Sequence, residues 1–338
     1  MKSAFLLLLC FLALPAHASR ISTVSRTGNA ALVFVDQGAN QPNRPEIWSL
    51  NPWKRRCILR GNRRDWNDLA SPAFTRNGRW IAFGCENSTI EIYDARRGRL
   101  WARLGRPQQR KERYSTSTDE YEITSLSFSP GGKTLVASNK KGVFFWSMRR
   151  KKLLFSRPIF DHVEINGKFR EIEVPAYPGK VLFSPDGKTI AIAGRSQMPV
   201  FLFDVAHKRV RSILRLHAAD GNARALAFSP GGNRLLVVGY WNISGGSHDQ
   251  IQMFDTRNGR ALWRWNNRSK NPNEYDTSNF YTRAAFSSDG RRFAVANDNF
   301  LSMRNARTAR ELLRRKPKIN GAFSLQTQKT LLPELVMR

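Results

Sequence analysis

The sequence predicts an all-β protein assembled from repeated four-stranded antiparallel sheets, and three patterns lead to this prediction. A short phrase recurs along the chain, a strand-forming run follows each copy, and turn-forming residues separate the runs. The clearest copies of the phrase are Phe128-Ser-Pro-Gly-Gly-Lys133, Phe183-Ser-Pro-Asp-Gly-Lys188, Phe228-Ser-Pro-Gly-Gly-Asn233 and Phe286-Ser-Ser-Asp-Gly-Arg291. A unit that recurs every few tens of residues forms an array in which neighbours bury each other's apolar faces.

Within each unit the residue types predict four strands in order. A short strand enters the phrase, and the Ser, Pro, Asp and Gly residues of the phrase favour a tight turn. The second strand is rich in β-branched and small apolar residues, as in Thr134-Leu-Val-Ala137. The third strand is represented by Val143-Phe-Phe-Trp146, and the fourth, after a basic turn, by Leu100-Trp-Ala-Arg-Leu104. Each unit is therefore predicted to form one antiparallel sheet.

The number of sheets follows from counting the starts of the units. Looser copies of the phrase are Phe74-Thr-Arg-Asn-Gly-Arg79 and Phe323-Ser-Leu-Gln-Thr-Gln328, and residues 21–60 form an earlier, degenerate unit. Seven starts predict seven sheets, the last of them incomplete because few residues follow Phe323. Two alternatives stay open: six sheets, one of them a composite that the N-terminal segment completes, or a gene product shortened at its C-terminus.

The units resemble WD40-type repeats of the β-propeller class, and the resemblance covers nearly all of residues 19–338. In the slot where that family often has Trp-Asp, this chain has Tyr93-Asp94, Phe203-Asp204 and Phe254-Asp255, with Trp48-Ser49, Trp146-Ser147 and Arg304-Asn305 as weaker versions. The resemblance implies a β-propeller whose sheets are the blades. The sequence has no Gly-His pair, so the structural triad of that family is missing, and we expect packing and turn hydrogen bonds to hold the blades.

Residues 1–18 have the pattern of a secretory signal peptide. Lys2 supplies a positive start, residues 4–14 an apolar run, and Ala16-His17-Ala18 a small-x-small cleavage site. We therefore predict a mature propeller domain at 19–338 in a secreted or periplasmic location.

The cysteines and sequons of the mature chain leave their chemistry open. Cys57 and Cys85 either form a disulfide, which that compartment permits, or remain buried thiols in neighbouring blades. The three glycosylation sequons, at Asn87, Asn242 and Asn267, matter only in a eukaryotic secretory pathway.

Charge is the second strong pattern in the chain. The sequence has 56 Lys and Arg residues against 26 Asp and Glu residues, a formal net charge of +30. In a four-stranded blade, the turns between strands one and two and between strands three and four lie on the same rim, and both are basic here. The anion-binding candidates on this rim are Arg55, Arg97, Arg149, Arg150, Lys151, Lys152, Lys208, Arg209 and Arg257.

Such a rim predicts attraction to a polyanion, which in a secreted or periplasmic protein is an anionic membrane surface or a polysaccharide. Nucleic acid is disfavoured because aromatic residues do not interleave with the arginines, as stacking on bases would require, and because of the signal peptide. The aspartates near these turns, Asp94, Asp186, Asp204, Asp255 and Asp289, are expected to accept hydrogen bonds from the local backbone.

The opposite rim carries the long insertions, at residues 106–121, 157–177, 240–250 and 266–280. Long loops that lack evident internal structure are often functional, and exposed aromatic residues suit protein recognition. The partner-binding candidates there are Tyr114, Tyr121, Phe169, Tyr240, Trp241 and Tyr275. The alternative is that these insertions are solvated loops without a binding role, and that their aromatic residues pack against the blades.

Catalytic and metal-binding patterns are poor. The histidines of the mature chain, His162, His207, His217 and His248, do not have metal-ligand spacing. Asp94-Ala-Arg-Arg-Gly-Arg-Leu-Trp101 and Asp255-Thr-Arg-Asn-Gly-Arg-Ala-Leu-Trp263 resemble a phrase of the pyrroloquinoline-quinone propellers and their noncatalytic envelope relatives, in which the Trp docks blade to blade. We interpret this phrase as shared blade architecture.

The sequence therefore predicts a noncatalytic scaffold that binds protein partners through its long-loop face, without a cofactor, a metal or a small-molecule substrate. Two alternatives stay open: electrostatic binding of an anionic envelope surface or polysaccharide by the basic rim, and a quinone-type propeller enzyme or its noncatalytic relative.

Overall fold

The computed structural model describes residues 18–25, 27, 29–35, 44–50, 52–60, 72–85, 87–106, 122–158, 162–165, 168–171, 177–195, 199–216, 222–243, 246–266, 283–296 and 301–315. Within these residues the chain forms six four-stranded antiparallel sheets and a separate two-stranded hairpin. We number the sheets in chain order as blades 1 to 6. Each blade uses four consecutive strands in simple up-and-down order, as the repeated units predict.

The first three blades contain the following strands. Blade 1 has β1 (Ala18–Val24), β2 (Ala31–Val35), β3 (Arg44–Leu50) and β4 (Trp53–Ile58). Blade 2 has β5 (Ala73–Phe74), β6 (Trp80–Gly84), β7 (Ile90–Asp94) and β8 (Arg99–Leu104). Blade 3 has β9 (Ser125–Phe128), β10 (Thr134–Asn139), β11 (Gly142–Ser147) and β12 (Lys152–Arg157).

The hairpin and the last three blades follow. The hairpin consists of β13 (His162–Ile165) and β14 (Lys168–Glu171). Blade 4 has β15 (Tyr177–Phe183), β16 (Thr189–Arg195), β17 (Val200–Asp204) and β18 (Arg209–Leu214). Blade 5 has β19 (Asn222–Phe228), β20 (Arg234–Ile243), β21 (Gly246–Asp255) and β22 (Ala261–Asn266). Blade 6 has β23 (Arg283–Phe286), β24 (Arg292–Ala296), β25 (Leu301–Asn305) and β26 (Glu311–Arg315).

Within the described residues the protein is thus a β-propeller of six blades, and the prediction of seven was wrong. The predicted seventh start at Phe323 lies outside the described residues, and the last described blade has all four strands. The turn residue explains the error. The glycine four residues after each phrase Phe has φ between 66° and 75° at Gly78, Gly132, Gly187, Gly232 and Gly290. Thr327 holds that position after Phe323, and a β-branched residue strongly disfavours positive φ.

Most of the hydrophobic core lies between neighbouring blades, and two smaller clusters lie within blade 1 and within blade 6. Between blades 3 and 4, Phe145 and Phe203 are buried with their ring centres 5.4 Å apart. Equivalent clusters of buried apolar side chains lie between blades 1 and 2, 2 and 3, 4 and 5, and 5 and 6. Full burial of one such side chain stabilises the fold by about 1.5–3 kcal/mol. The blades are therefore held together mainly by packing, as expected for a chain without the His–Asp triad.

Hydrogen bonds between inner strands add to this packing. The hydroxyl oxygens of Ser125 and Ser127 in β9 accept hydrogen bonds from the backbone N–H groups of Val181 and Phe183 in β15, each at 3.1 Å. Because both serines are buried, these bonds satisfy polar groups along the inner edges of blades 3 and 4.

Two of the predicted loop insertions contain regular structure. The segment 157–177 includes the β13–β14 hairpin. In the segment 240–250, strands β20 and β21 continue to pair with each other, from Gly239 opposite Gln250 to Ile243 opposite Gly246. These two insertions therefore contain strands that were not evident from the sequence. The described residues contain no helix that is long and apolar enough to cross a bilayer.

A β-bulge interrupts the outer strand of every blade at the same place. The register between the third and fourth strands shifts by one residue shortly after the turn that joins them. The residues left without a cross-strand partner are Arg56, Trp101, Leu154, Arg211, Leu262 and Leu312. A bulge twists an edge strand and so discourages pairing with another chain.

Candidate anion-binding face

Two sets of turns lie side by side at one end of the blades, which we call the turn rim. It comprises the turns between strands one and two and those between strands three and four of each blade; the opposite end is the loop rim. In five blades a backbone N–H of the second turn donates to a carbonyl of the first, at 2.8–3.0 Å. The donor and acceptor pairs are Ala95 and Arg79, Met148 and Lys133, Val205 and Lys188, Thr256 and Asn233, and Ala306 and Arg291.

The repeated phrase builds the first turn of each blade through its serine. The hydroxyl oxygen of Ser184 accepts a hydrogen bond from the backbone N–H of Thr189 at 3.0 Å, and the hydroxyl donates to Asp186. In four other blades the hydroxyl oxygen at this position likewise accepts a hydrogen bond from the backbone N–H of the residue five positions later. These hydroxyls belong to Thr75, Ser129, Ser229 and Ser287. This geometry explains why the phrase needs a hydroxyl residue directly after the Phe.

The first turns of neighbouring blades touch one another. A Cβ added at Gly187 would lie 3.1 Å from the Cδ atom of Pro130, and one added at Gly290 would lie 3.2 Å from the Cδ atom of Pro230. The phrase proline of one blade therefore packs on the phrase glycine of the next.

The aspartates of the turn rim are engaged by their own turns, as predicted. Asp94 accepts hydrogen bonds from the backbone N–H groups of Arg96 and Arg97, and Asp204 accepts one from His207. Similar bonds reach Asp186, Asp255 and Asp289. These carboxylates stabilise the turns, and hydrogen bonds together with nearby cations lower the pKa values of Asp186, Asp204, Asp255 and Asp289.

Five of the anion-binding candidates are exposed and make no ion pair with any described residue. They are Arg97, Arg149, Arg150, Lys152 and Arg209. Arg97 and the pair of Arg149 and Arg150 lie in turns between strands three and four, and Lys152 and Arg209 begin the strands that follow such turns. Their charges thus face solvent at the turn rim.

Two further candidates have a carboxylate partner. Arg55 lies 3.3 Å from a carboxylate oxygen of the buried Glu46, which also pairs with Arg44. Arg257 makes a bidentate pair with Asp255 at 2.6 and 3.1 Å, and this guanidinium is the main reason that the pKa of Asp255 falls to about 2.

The last two candidates, Lys151 and Lys208, contact an aromatic ring of the preceding blade. The Nζ of Lys151 lies 4.4 Å from the ring centre of Trp101, and that of Lys208 lies 5.0 Å from the ring centre of Phe155. Both lysines have positive φ, at 52° and 53°. They therefore join neighbouring blades as well as adding charge to the turn rim.

Blades 5 and 6 form a cleft of about 610 Å³ on this rim. Its lining includes Arg234 and Asn233 from blade 5, and Asp289, Arg291, Arg307 and Thr308 from blade 6. Three arginines thus line one concavity whose carboxylate, Asp289, is already bonded to Ser287 and to the backbone of Arg291. Sequence reasoning did not single out this cleft, because its walls come from two blades.

One arginine near the turn rim is buried. Arg304, in the weak slot Arg304-Asn305, is only 2% exposed and lies in blade 6 over the ring of Trp265 in blade 5, at 3.8 Å. Its guanidinium donates to Ser302, to the carbonyl of Ala309 and to Glu311. It therefore stabilises the fold and adds no free charge to the rim.

The structure describes the position of three of the six partner-binding candidates of the loop rim. Phe169 lies in β14 opposite Glu164, and Tyr240 and Trp241 lie in β20 opposite Asp249 and His248. Tyr114, Tyr121 and Tyr275 fall outside the described residues.

Within the described residues no group of three or more His, Cys, Asp and Glu side chains could hold a metal ion. Cys57 and Cys85 are thiols in the cluster between blades 1 and 2. Burial raises the pKa of Cys57 to about 11. Trp263, which ends the phrase that resembles quinone propellers, donates to the carbonyl of Ala306 at 3.0 Å and so joins blade 5 to blade 6.

Comparison with known families supports the repeat type. The family model described as WD40, WD domain, G-beta repeat, matches residues 110–147, which include β9, β10 and β11 of blade 3. No curated protein matches the chain.

Proposed function

The chain is a β-propeller with WD40-type repeats, and from that premise we propose that it is a noncatalytic, secreted or periplasmic scaffold that binds a protein partner through its loop rim. Propellers of this type generally mediate protein–protein interaction. The signal-peptide pattern of residues 1–18 supports the location.

The observation that carries this proposal is the extended hairpin of blade 5. Strands β20 and β21 are ten residues long, whereas β19 has seven and β22 has six. Pairing of β20 with β19 ends at Tyr240, and pairing of β21 with β22 ends at Gln250. Beyond these positions the hairpin is a two-stranded ribbon among the described residues, and its edges can add a strand from a partner.

The test shortens this ribbon without disturbing the blade. Replacing residues 241–248 with Asn-Gly keeps the pairing of Tyr240 with Asp249 and closes it with a two-residue turn. We expect recovery of the envelope partner in a pull-down to fall sharply. The control is Arg149→Glu with Arg150→Glu on the opposite rim, which should leave recovery unchanged. Unchanged recovery after combined removal of the ribbon, residues 107–121 and the β13–β14 hairpin would overturn the proposal.

The free cations of the turn rim favour a second function, binding of an anionic envelope surface. The five exposed cations make no ion pair with a described residue, so no direct carboxylate contact offsets their charges. The cleft lined by Arg234, Arg291 and Arg307 concentrates this potential at one place.

This second function is tested by titration against anionic vesicles and an acidic polysaccharide. We expect affinity to fall steeply with salt, and to fall further when Arg149, Arg150 and Lys152 are changed to Glu. The matched control changes Lys140 and Lys141 to Glu, in the turn between β10 and β11 on the loop rim. Binding that does not depend on salt would overturn this function. So would an equal loss of affinity in the turn-rim variant and in the Lys140 and Lys141 control.

A further inference from the structure

Five exposed leucines occupy the outer strands of the propeller near the turn rim. They are the exposed large apolar side chains of the described residues, each between 44% and 48% exposed: Leu100, Leu153, Leu154, Leu262 and Leu312. Each lies in the fourth strand of its blade, at the second or third residue. We call this set the outer-strand leucines.

The bulges account for part of this exposure. Leu154, Leu262 and Leu312 are the bulged residues of blades 3, 5 and 6, so they have no partner in the third strand. In blades 1 and 4 the bulged residues are Arg56 and Arg211. This position of the repeat thus carries an exposed leucine in three blades, an arginine in two, and the half-buried Trp101 in blade 2.

The outer-strand leucines follow directly on the cations of the turn rim. Arg99 precedes Leu100, and Lys152 precedes Leu153. Arg260 and Arg310 each lie two residues before a leucine, in blades 5 and 6. A cation therefore lies within two residues of an exposed leucine in four of the six described blades, at the end that carries the turns.

We propose that the turn rim docks on an anionic lipid bilayer, with the outer-strand leucines inserted at the interface and the neighbouring cations at the level of the headgroups. This inference rests on the second proposed function and selects its target. A polysaccharide offers charge but no apolar phase, whereas a bilayer interface accepts both kinds of side chain.

The insertion predicts a component of binding that salt does not screen. Cosedimentation with vesicles of phosphatidylglycerol and phosphatidylcholine is measured at low and at high salt. The test variant changes Leu153, Leu154, Leu262 and Leu312 to Ser, and the matched control changes the same four residues to Met. At high salt we expect the Ser variant to bind at least about tenfold more weakly than the wild type, because apolar insertion is lost. The Met control should retain binding.

The outcomes separate this inference from the function on which it rests. If the Ser variant binds anionic vesicles like the wild type at both salt concentrations, insertion is wrong while electrostatic binding stands. If charge reversal at Arg149, Arg150 and Lys152 has no effect, the electrostatic function itself fails. Equal binding of the Ser variant and the wild type to an acidic polysaccharide, with no vesicle binding by either, would assign the rim to polysaccharide. Thermal unfolding verifies that each variant is folded.

Discussion

The ammonium group of Lys151 lies 4.4 Å from the ring centre of Trp101, although the two residues belong to different blades. The same ammonium lies 3.4 Å from the carbonyl oxygen of Trp101. Lys208 repeats the relationship one blade further on, with Phe155 as its ring. A turn residue with positive φ thus places a long side chain on the outer strand of the preceding blade.

This contact predicts that removing the charge of Lys151 weakens the interface between blades 2 and 3. Lys151→Gln should lower the free energy of unfolding by about 0.5–1 kcal/mol, the usual value for an exposed cation–π pair. Lys152→Gln is the control, because that side chain makes no ion pair with a described residue, and it should change stability little. Urea denaturation measures both, and a cycle with Trp101→Leu isolates the pair. A zero coupling energy would contradict the assignment.

The phrase glycine should tolerate no side chain. Gly187 has φ of 75°, and a Cβ there would lie 3.1 Å from Pro130 of the preceding blade. Gly187→Ala should therefore destabilise the fold by about 1–2 kcal/mol. Gly131→Ala is a matched control, since a Cβ at Gly131 would meet no atom within 4 Å. Equal denaturation midpoints for the two variants would refute this explanation of the repeated glycine.

The pair of Asp255 and Arg257 predicts an acid-dependent contribution to stability. Because Arg257 lowers the pKa of Asp255 from 3.8 to about 2, the ionised carboxylate stabilises the folded state above pH 3.8. This contribution falls as the pH drops through the folded pKa. We expect the stability difference between the wild type and Arg257→Gln to be present at neutral pH and to shrink between pH 4 and pH 2. A difference that does not change with pH would show that the pair does not act in this way.

The buried guanidinium of Arg304 predicts a large loss on substitution. Arg304→Ala should destabilise the protein by about 3 kcal/mol, because the acceptors on Ala309 and Ser302 lose their donor inside the protein. Arg304→Lys should recover only part of this lost stability. An ammonium group cannot make the same set of hydrogen bonds as the planar guanidinium, and it cannot stack on Trp265. Arg307→Ala, in the turn that follows β25 and exposed, should change stability by less than about 0.5 kcal/mol.

The features that sequence predicted well depend on residues close together in the chain. The serine and glycine of the phrase act within six positions, as Ser184 and Gly187 show. The slot aspartates act over two or three positions. The number of blades was predicted wrongly because Phe323 was counted as a start although Thr327 replaces the turn glycine, a difference that was visible in the sequence.

The features that sequence could not predict depend on partners far apart in the chain. The sequence pattern indicated a loop at 240–250. In the structure β20 and β21 pair along this segment, because each strand supplies hydrogen-bonding partners for the other. The burial of Arg304 depends on Trp265 of the neighbouring blade, which is 39 positions away in the sequence.

By itself, the amino-acid sequence determined the repeated blade, its turns and the excess of positive charge, because each follows from local conformational preference or from composition. Only the tertiary structure decided which cations remain free, which leucines remain exposed and which turns meet to form a cleft. The physical reason is that burial is a property of neighbouring blades: a side chain loses its solvent only when a surface distant in sequence is packed against it.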